Sequence, residues 1–439
     1  MKKVQLYLPF FLLLLLLPLT TLAADGRPLS LHNAIAIALR DNPLLQARSS
    51  TVKSAVEEEK ASKGALFPRL DAYAGYQRTS DPMVVVPIKG FNAAPPAFSR
   101  DHYQTGLRFM LPLYEGGRRW TRITTSKLFN SMAEHEFSYS KQEIIANVTN
   151  TFKQILSFKE LAKAQQKALE ALKKVREDTR KKLKLGRAAP VEMLKMDTQV
   201  ATEEQDLIHT RQAAIRSRQS LAALLGINPA KLPTIEGELS SIAPQLPKNS
   251  EASLEDLSTK RPDIKKALQE VKLAAANVKL QQGYNLPDID LTSDYGQRAG
   301  SGFNDHEEVW TAGVELNFNI FNGGITSARI RQAKANLAAA KENLRQQKLK
   351  AMTQIQQAGS LIHEANNQIN MATKAIKSAK ESYRIETLKY QTGAGTITDS
   401  LLAQAAWFQA EALKAVAIYN LEKAVVDYRL ATGTIEEGI

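Results

Sequence analysis

Residues able to carry chemistry are thinly spread in this chain. Its six histidines, at 32, 102, 135, 209, 306 and 363, lie far apart, and none belongs to an HExxH pair, which places two imidazoles on one helix face to hold zinc. No DxDxDG calcium loop, Gly-x-Ser-x-Gly elbow or P-loop occurs. Gly393-Ala394-Gly395 lacks the third glycine and the preceding strand that a dinucleotide loop needs, and it sits between two helical patterns. His306-Glu307-Glu308 offers ligand atoms in a row, readable as a metal site or as a solvated loop between strands, and the isolated run favours the loop. There is no cysteine, which removes disulfides, thiolate metal sites and a cysteine-linked lipid anchor. The residues support no enzyme and imply no cofactor.

The N-terminus points to export. Lys2 and Lys3 precede an apolar run from Leu6 to Leu17 that ends in the small-residue stretch Thr20 to Ala24, the layout of a secretory signal. Its core of about 12 residues is short of the ~20 that cross a bilayer as a helix. We therefore expect a signal peptide over 1–23, cleaved after Ala23 or Ala24. The formal charge of +13 becomes 13 − 2 = +11 without the two signal lysines. Basic residues such as those from Lys159 to Lys184 are interleaved with Glu and Gln, the pattern of a solvated helix face rather than a nucleic-acid patch.

The chain is internally duplicated. Asn42-Pro43 is answered by Arg261-Pro262, and Phe67-Pro68 by Leu286-Pro287, both 219 residues on. Tyr114-Glu115-Gly116-Gly117 is answered by Phe321-Asn322-Gly323-Gly324, Gly186 by Gly393 and Gly226 by Gly433, all 207 residues on. The halves are read as 24–226 and 251–439, joined by a proline-rich link over 227–250 packed around the outside. The first half is longer between Gln77 and His102, where Pro82, Pro87, Pro95 and Pro96 argue for a long loop. Its apolar residues suit internal packing or contact with lipopolysaccharide or a partner.

Each half repeats one element order. An opening helix is expected from about Ser30 to Leu66, and again from about Ser253 to Tyr284. Two alternating segments follow. From Trp310 to Ile320 one face is Trp310, Ala312, Val314, Leu316, Phe318 and Ile320, the other Thr311, Gly313, Glu315, Asn317 and Asn319. Tyr103 to Leu113 and Asp288 to Tyr295 alternate likewise, and Arg69 to Gln77 more weakly. Such segments suit membrane barrel strands or hairpins of a soluble sheet; their length, repetition and the export signal favour the barrel. Four strands do not close a barrel, and open edges in lipid leave backbone groups unsatisfied, so strands must be pooled between chains. Proline-free helices are then predicted over 118–185 and 326–390, rods approaching ~100 Å at 1.5 Å per residue. Turns at Gly186 and Gly393 lead into return helices ending near Gly226 and Gly433. A return helix and an opening helix stacked end to end would cover a rod along its length.

The stretch Leu388-Lys389-Tyr390-Gln391-Thr392-Gly393-Ala394-Gly395-Thr396-Ile397-Thr398-Asp399-Ser400-Leu401-Leu402, followed by Tyr419-Asn420 and Leu430-Ala431-Thr432-Gly433, resembles the second tip and return helix of the TolC-like outer-membrane factors. Leu111-Pro112-Leu113-Tyr114-Glu115-Gly116-Gly117 and Phe318-Asn319-Ile320-Phe321-Asn322-Gly323-Gly324 are similar to that family's strand-to-helix junctions. The likeness spans about Leu29 to Thr434, and its specificity lies in the duplicated order. It implies a mainly α fold with a small β part: a homotrimer with a helical barrel in the periplasm and a twelve-stranded β-barrel in the outer membrane. It further implies an exit duct for a tripartite efflux pump or type I secretion system, docked to a periplasmic adaptor and an inner-membrane transporter of RND, ABC or MFS type. The competing reading is a periplasmic coiled-coil adaptor; two hairpins and four strands in strict duplication favour the channel.

In this family a tyrosine, acidic residues and an arginine on neighbouring helices hold the periplasmic tip shut. The resemblance carries these roles to Tyr390, Asp399 and Glu192, with Gly186, Gly393 and Gly395 at the tip turns. The arginine position is Gly395, however, and a second acidic position is Leu402. Either Arg187 substitutes or the resting state is held differently. Asp399 has two readings, a carboxylate ring at a constriction or a cap on the return helix.

Overall fold

Proline at 43 and at 262 divides what periodicity presents as single opening helices. The computed structural model describes residues 28–85, 97–239, 251–304 and 306–438, with backbone alone at 251–254 and 438. The signal peptide expected over 1–23 lies outside them, as do 86–96 of the loop and 240–250 of the link. The first half runs α1 (Leu31–Asp41), α2 (Pro43–Gly64), β1 (Arg69–Val84), β2 (Phe98–Glu115), α3 (Arg118–Lys184) and α4 (Pro190–Leu225). The second runs α5 (Glu251–Lys260), α6 (Pro262–Gly283), β3 (Asp288–Ala299), β4 (Glu307–Asn317), α7 (Ile325–Thr392) and α8 (Ile397–Thr432). Among the described residues, no helix is long and apolar enough to cross a membrane.

The continuous helix expected from Ser30 to Leu66 is thus two helices. A residue before proline is driven out of the α region, and Asn42 is extended, with φ −64° and ψ 123°. Its Oδ1 accepts from the N–H groups of Leu44 at 2.9 Å and Leu45 at 3.2 Å, capping α2. Its Nδ2 donates to the Leu224 carbonyl at 2.7 Å, at the end of α4. In the second half, Arg261 Nη1 donates to the Ala431 carbonyl of α8 at 3.2 Å. The same break therefore meets the same helix end in both halves.

The rods α3 and α7 hold 67 and 68 residues, about 100 Å each at 1.5 Å per residue. Two helices share the length of α3. Near its start, Asn130 donates to Glu59 of α2 at 3.2 Å, and Glu136 pairs with Arg48 at 3.1 Å. Farther down, α4 takes over: Ser217 lies 3.2 Å from Gln154, Arg211 2.9 Å from Gln166, and Arg176 2.5 Å from Asp197. The main core sits where the two helices meet, gathering Ile145, Val148, Phe152 and Ile155 of α3 with Ala34 and Ala38 of α1, Leu221 and Leu225 of α4, and Val426 of α8. Leu232 and Ile235 of the link pack into this core, and Leu29 pairs with Ile235 in a parallel bridge. Half of the molecule thus anchors the other: Lys153 of α3 pairs with Glu422 of α8 at 3.1 Å, both largely buried, and Asn150 donates to Asp427 at 3.1 Å.

The four strands form one antiparallel sheet in the order β1-β2-β3-β4. Two of them outrun the expected loop between Gln77 and His102, since β1 continues to Val84 and β2 begins at Phe98. Pro82 is accommodated because the register slips between Arg78 and Met83, a position where its missing N–H leaves no ladder bond unmade. At the other end, β4 stops at Asn317, short of the expected Ile320, and it starts at Glu307. Glu307 and Glu308 are therefore strand residues, not members of the connecting loop.

Candidate channel wall and periplasmic tip

Register converts sequence alternation into two unlike sheet faces. On one face Leu107, Tyr295 and Trp310 lie side by side, as do Leu291 with Val314 and Ile289 with Leu316. Most of these side chains lack protein cover, Trp310 being 71% exposed and Leu316 64%, while Ile289 and Leu291 are half-buried between their neighbours. On the other face Asp71, Arg108, Asp294 and Thr311 form a row. Arg108 Nε donates to Asp294 at 2.9 Å, the Tyr73 hydroxyl donates to the same carboxylate, and the guanidinium lies 5.1 Å over the Tyr73 ring. An apolar face without a core behind it and a hydrogen-bonded ionic face opposite suit lipid on one side and water on the other.

At the helix end of the sheet, Arg118 couples strands to rods and one half to the other. Its buried guanidinium lies 4.3 Å over the Tyr284 ring, bonds the Asp288 carboxylate and donates to the Glu115 carbonyl at 3.1 Å. Arg119 donates to the carbonyls of Pro112 and Ala65, joining β2, the end of α2 and α3. The polar face here is acidic, with Glu115 beside Asp288 and Asp290 beside Glu315.

At the far end of each hairpin the chain reverses through one device. Gly186 at φ +70° and Gly393 at φ +80° occupy the left-handed region that glycine enters without a Cβ penalty. Arg187 N–H donates to the Lys182 carbonyl at 2.8 Å and Ala394 N–H to the Lys389 carbonyl at 2.9 Å, the longer bond of a Schellman turn. A Cβ on either glycine would meet open space.

The predicted tip residues occupy distinct settings. Tyr390 is half-buried against Leu169, Leu172, Met196, Val200 and Ile397; Lys182 Nζ sits 4.0 Å from its ring centroid, and its hydroxyl is 3.5 Å from that of buried Thr179. Asp399 is exposed in the first turn of α8. The cap of that helix is Thr396, whose hydroxyl accepts from Asp399 N–H at 3.2 Å and donates to the Asp399 carboxylate at 2.7 Å. Glu192 lies in the first turn of α4, 207 positions before Asp399, so both tips carry an acid at one equivalent place. Leu402 is 65% exposed. Within one chain no hydrogen bond joins Tyr390, Asp399 and Glu192, and the exposed Arg187 side chain forms no ion pair among the described residues. Gly395 is crowded: a Cβ there would lie 2.9 Å from Lys389 Cβ, so any larger residue at this turn requires the Lys389 stem to shift. Lys182 and Thr179 were missed as partners of Tyr390. They sit more than 200 positions away, and only the 207-residue repeat, which superposes the two turns, hinted at the meeting.

Comparison with known proteins agrees with this geometry. The family model for outer membrane efflux protein matches residues 34–227 and 254–434. The outer membrane protein TolC of Vibrio cholerae serotype O1 is 22% identical over 408 residues, covering 91% of this chain and 90% of that protein. The outer membrane protein VceC of Vibrio cholerae superposes with a TM-score of 0.79 at 20% identity, covering 92% of this chain and 96% of its own. The Neisseria gonorrhoeae MtrE outer membrane channel, solved in its open state, gives 0.76 at 20% identity, covering 92% and 89%.

Proposed function

We propose a role that follows from one fact: this chain belongs to the outer membrane efflux protein family. It is a channel and not an enzyme, placed in the outer membrane with its helical body in the periplasm. The family forms homotrimeric channels that work with pump components. On the reading offered here, three four-stranded sheets make a twelve-stranded barrel, and the rods continue it as a tunnel through which substrates pass passively from periplasm to exterior.

One observation carries this reading. The sheet has a bare apolar face, an ionic face and two edges without a strand partner among the described residues. An unpaired edge in hydrocarbon costs several kcal/mol per group, and pairing β4 of one copy with β1 of the next removes it. The finer proposal is that the duct serves a tripartite efflux pump or a type I secretion system. A periplasmic adaptor would dock it, and an RND, ABC or MFS transporter would feed it. Its gate would lie at the tip, with Asp399, Glu192, Tyr390 and Leu402 facing the same residues of the other copies.

The test is assembly and conductance of the purified protein. Val314→Arg, on the apolar face and nearer the middle of β4, turns a charge toward lipid and should lower barrel stability by about 2–4 kcal/mol, seen as loss of outer-membrane trimer on mild-detergent gels. Asn317→Arg, three residues on and facing the opposite way, should assemble and alter only single-channel conductance in planar bilayers. Equal tolerance of both substitutions, or recovery of the unmodified protein as a soluble periplasmic monomer, would refute the barrel.

A further inference from the structure

A cavity lies among the helices of the body. It holds about 330 Å³ and is walled by α3, α4 and α8, so the hairpin of the first half and the return helix of the second both line it. Counting back from Lys184 to Ala168 at 1.5 Å per residue places it about 24 Å above the tip.

Its lining is chemically unfinished. Gln404 is only 2% exposed, yet its amide nitrogen has no hydrogen-bond partner; the carbonyl oxygen of Gln165, also shielded from water, has none either. Buried polar atoms are nearly always paired, and leaving one unpaired costs its full desolvation. The same wall carries Glu203 and Asp206, one helical turn apart on α4. Burial, and then the neighbouring Asp206, push the Glu203 carboxyl above its ordinary range. Of the remaining lining, Gln199, Thr202, Gln409 and Glu411 are polar, the last already accepting from the Trp407 indole at 3.1 Å, and Leu172 and Phe408 are among the apolar side chains.

We infer that this cavity is a binding site for a small organic ammonium ion bearing a neighbouring hydroxyl group. The ammonium fits between Glu203 and Asp206, the hydroxyl accepts from Gln404 and donates to Gln165, and an apolar tail lies along Leu172 and Phe408. A neutral alcohol satisfies the amides and leaves the carboxylates unpaired, whereas a simple amine does the reverse. Because both hairpins supply walls, an occupant ties them together. The inference does not depend on what the channel conducts.

Calorimetric titration of the purified mature protein in detergent tests it, with 2-amino-1-phenylethanol as probe and 1-phenylethanol and 2-phenylethylamine as controls. The amino alcohol should bind saturably at one site per chain, the amine at least tenfold more weakly, and the neutral alcohol not at all. Glu203→Gln should weaken the probe at least tenfold, and Gln404→Leu likewise. The Glu203 side chain is only half-buried, so the first variant remains informative even where the second unfolds. Absence of saturable binding to the unmodified protein, or less than a tenfold change in Glu203→Gln, overturns the site. Single-channel conductance recorded on the same preparations should match the unmodified protein in Glu203→Gln, which separates loss of the site from loss of the channel.

Discussion

The waist of the molecule and its tip both depend on left-handed glycines, yet they are built to opposite ends. At the waist, Gly226 at φ +70° closes α4 directly against the break between α1 and α2, where a Cβ would collide with the Asp41 carbonyl. Asn42 bridges the two helix ends, and Ile145, Phe152, Leu221 and Leu225 fill the core around them. At the tip, Gly186 and Gly393 turn in open space, and of the acids beyond them Asp399 is exposed and Glu192 half-buried. The contrast teaches where the fold tolerates change: the helix ends are clamped at the waist, whereas the glycine turns at the tip have no neighbour within reach of a Cβ.

Substitution at the waist should show the largest effect. Gly226→Ala combines a left-handed penalty of about 1–2 kcal/mol with overpacking of about 1–3 kcal/mol. Thermal unfolding should register a loss of about 2–5 kcal/mol, and an unchanged midpoint would dissolve the contrast. Next is Asn42→Ala, which removes a cap and leaves the Leu224 carbonyl unpaired, costing about 2 kcal/mol; chemical denaturation of the detergent-solubilised protein measures it.

Gly186→Ala should cost only the left-handed term, about 1–2 kcal/mol, with no overpacking, at a φ equal to that of Gly226. A loss at Gly186 as large as at Gly226 would show that the tip is packed in the assembly. The smallest stability change belongs to Asp399→Asn. Thr396 supplies the cap, so melting should move by less than about 0.5 kcal/mol, the size of an exposed charge near a helix N-terminus. Cation preference and block by multivalent cations from the periplasmic side should nevertheless fall in planar bilayers. Unchanged selectivity with a loss near 1 kcal/mol would make Asp399 structural, with Leu402 the next residue to replace.

Much of this architecture was legible because it is periodic. The 207- and 219-residue offsets exposed the two halves, three- and four-residue spacing exposed the rods, and alternation at 310–317 identified the two faces of β4. What misled was local. Apolar spacing runs smoothly through Asn42-Pro43, so the opening helix read as continuous although the proline forbids it. Pro82 suggested a loop, where a register slip lets β1 continue.

By itself, then, the sequence determined which segments are helix or strand, which strand face is apolar, and that four strands need partners. These are properties of neighbouring residues and of spacing along one element, fixed by backbone sterics and hydrophobic period. Only the tertiary structure decided which distant groups meet: Asn42 with Leu224, Arg118 with Tyr284 and Asp288, Lys182 with Tyr390, and Gln165 and Gln404 in one cavity. Such meetings depend on how ~100 Å rods align side by side. A shift of one helical turn between rods would leave every local pattern intact and exchange every one of these partners.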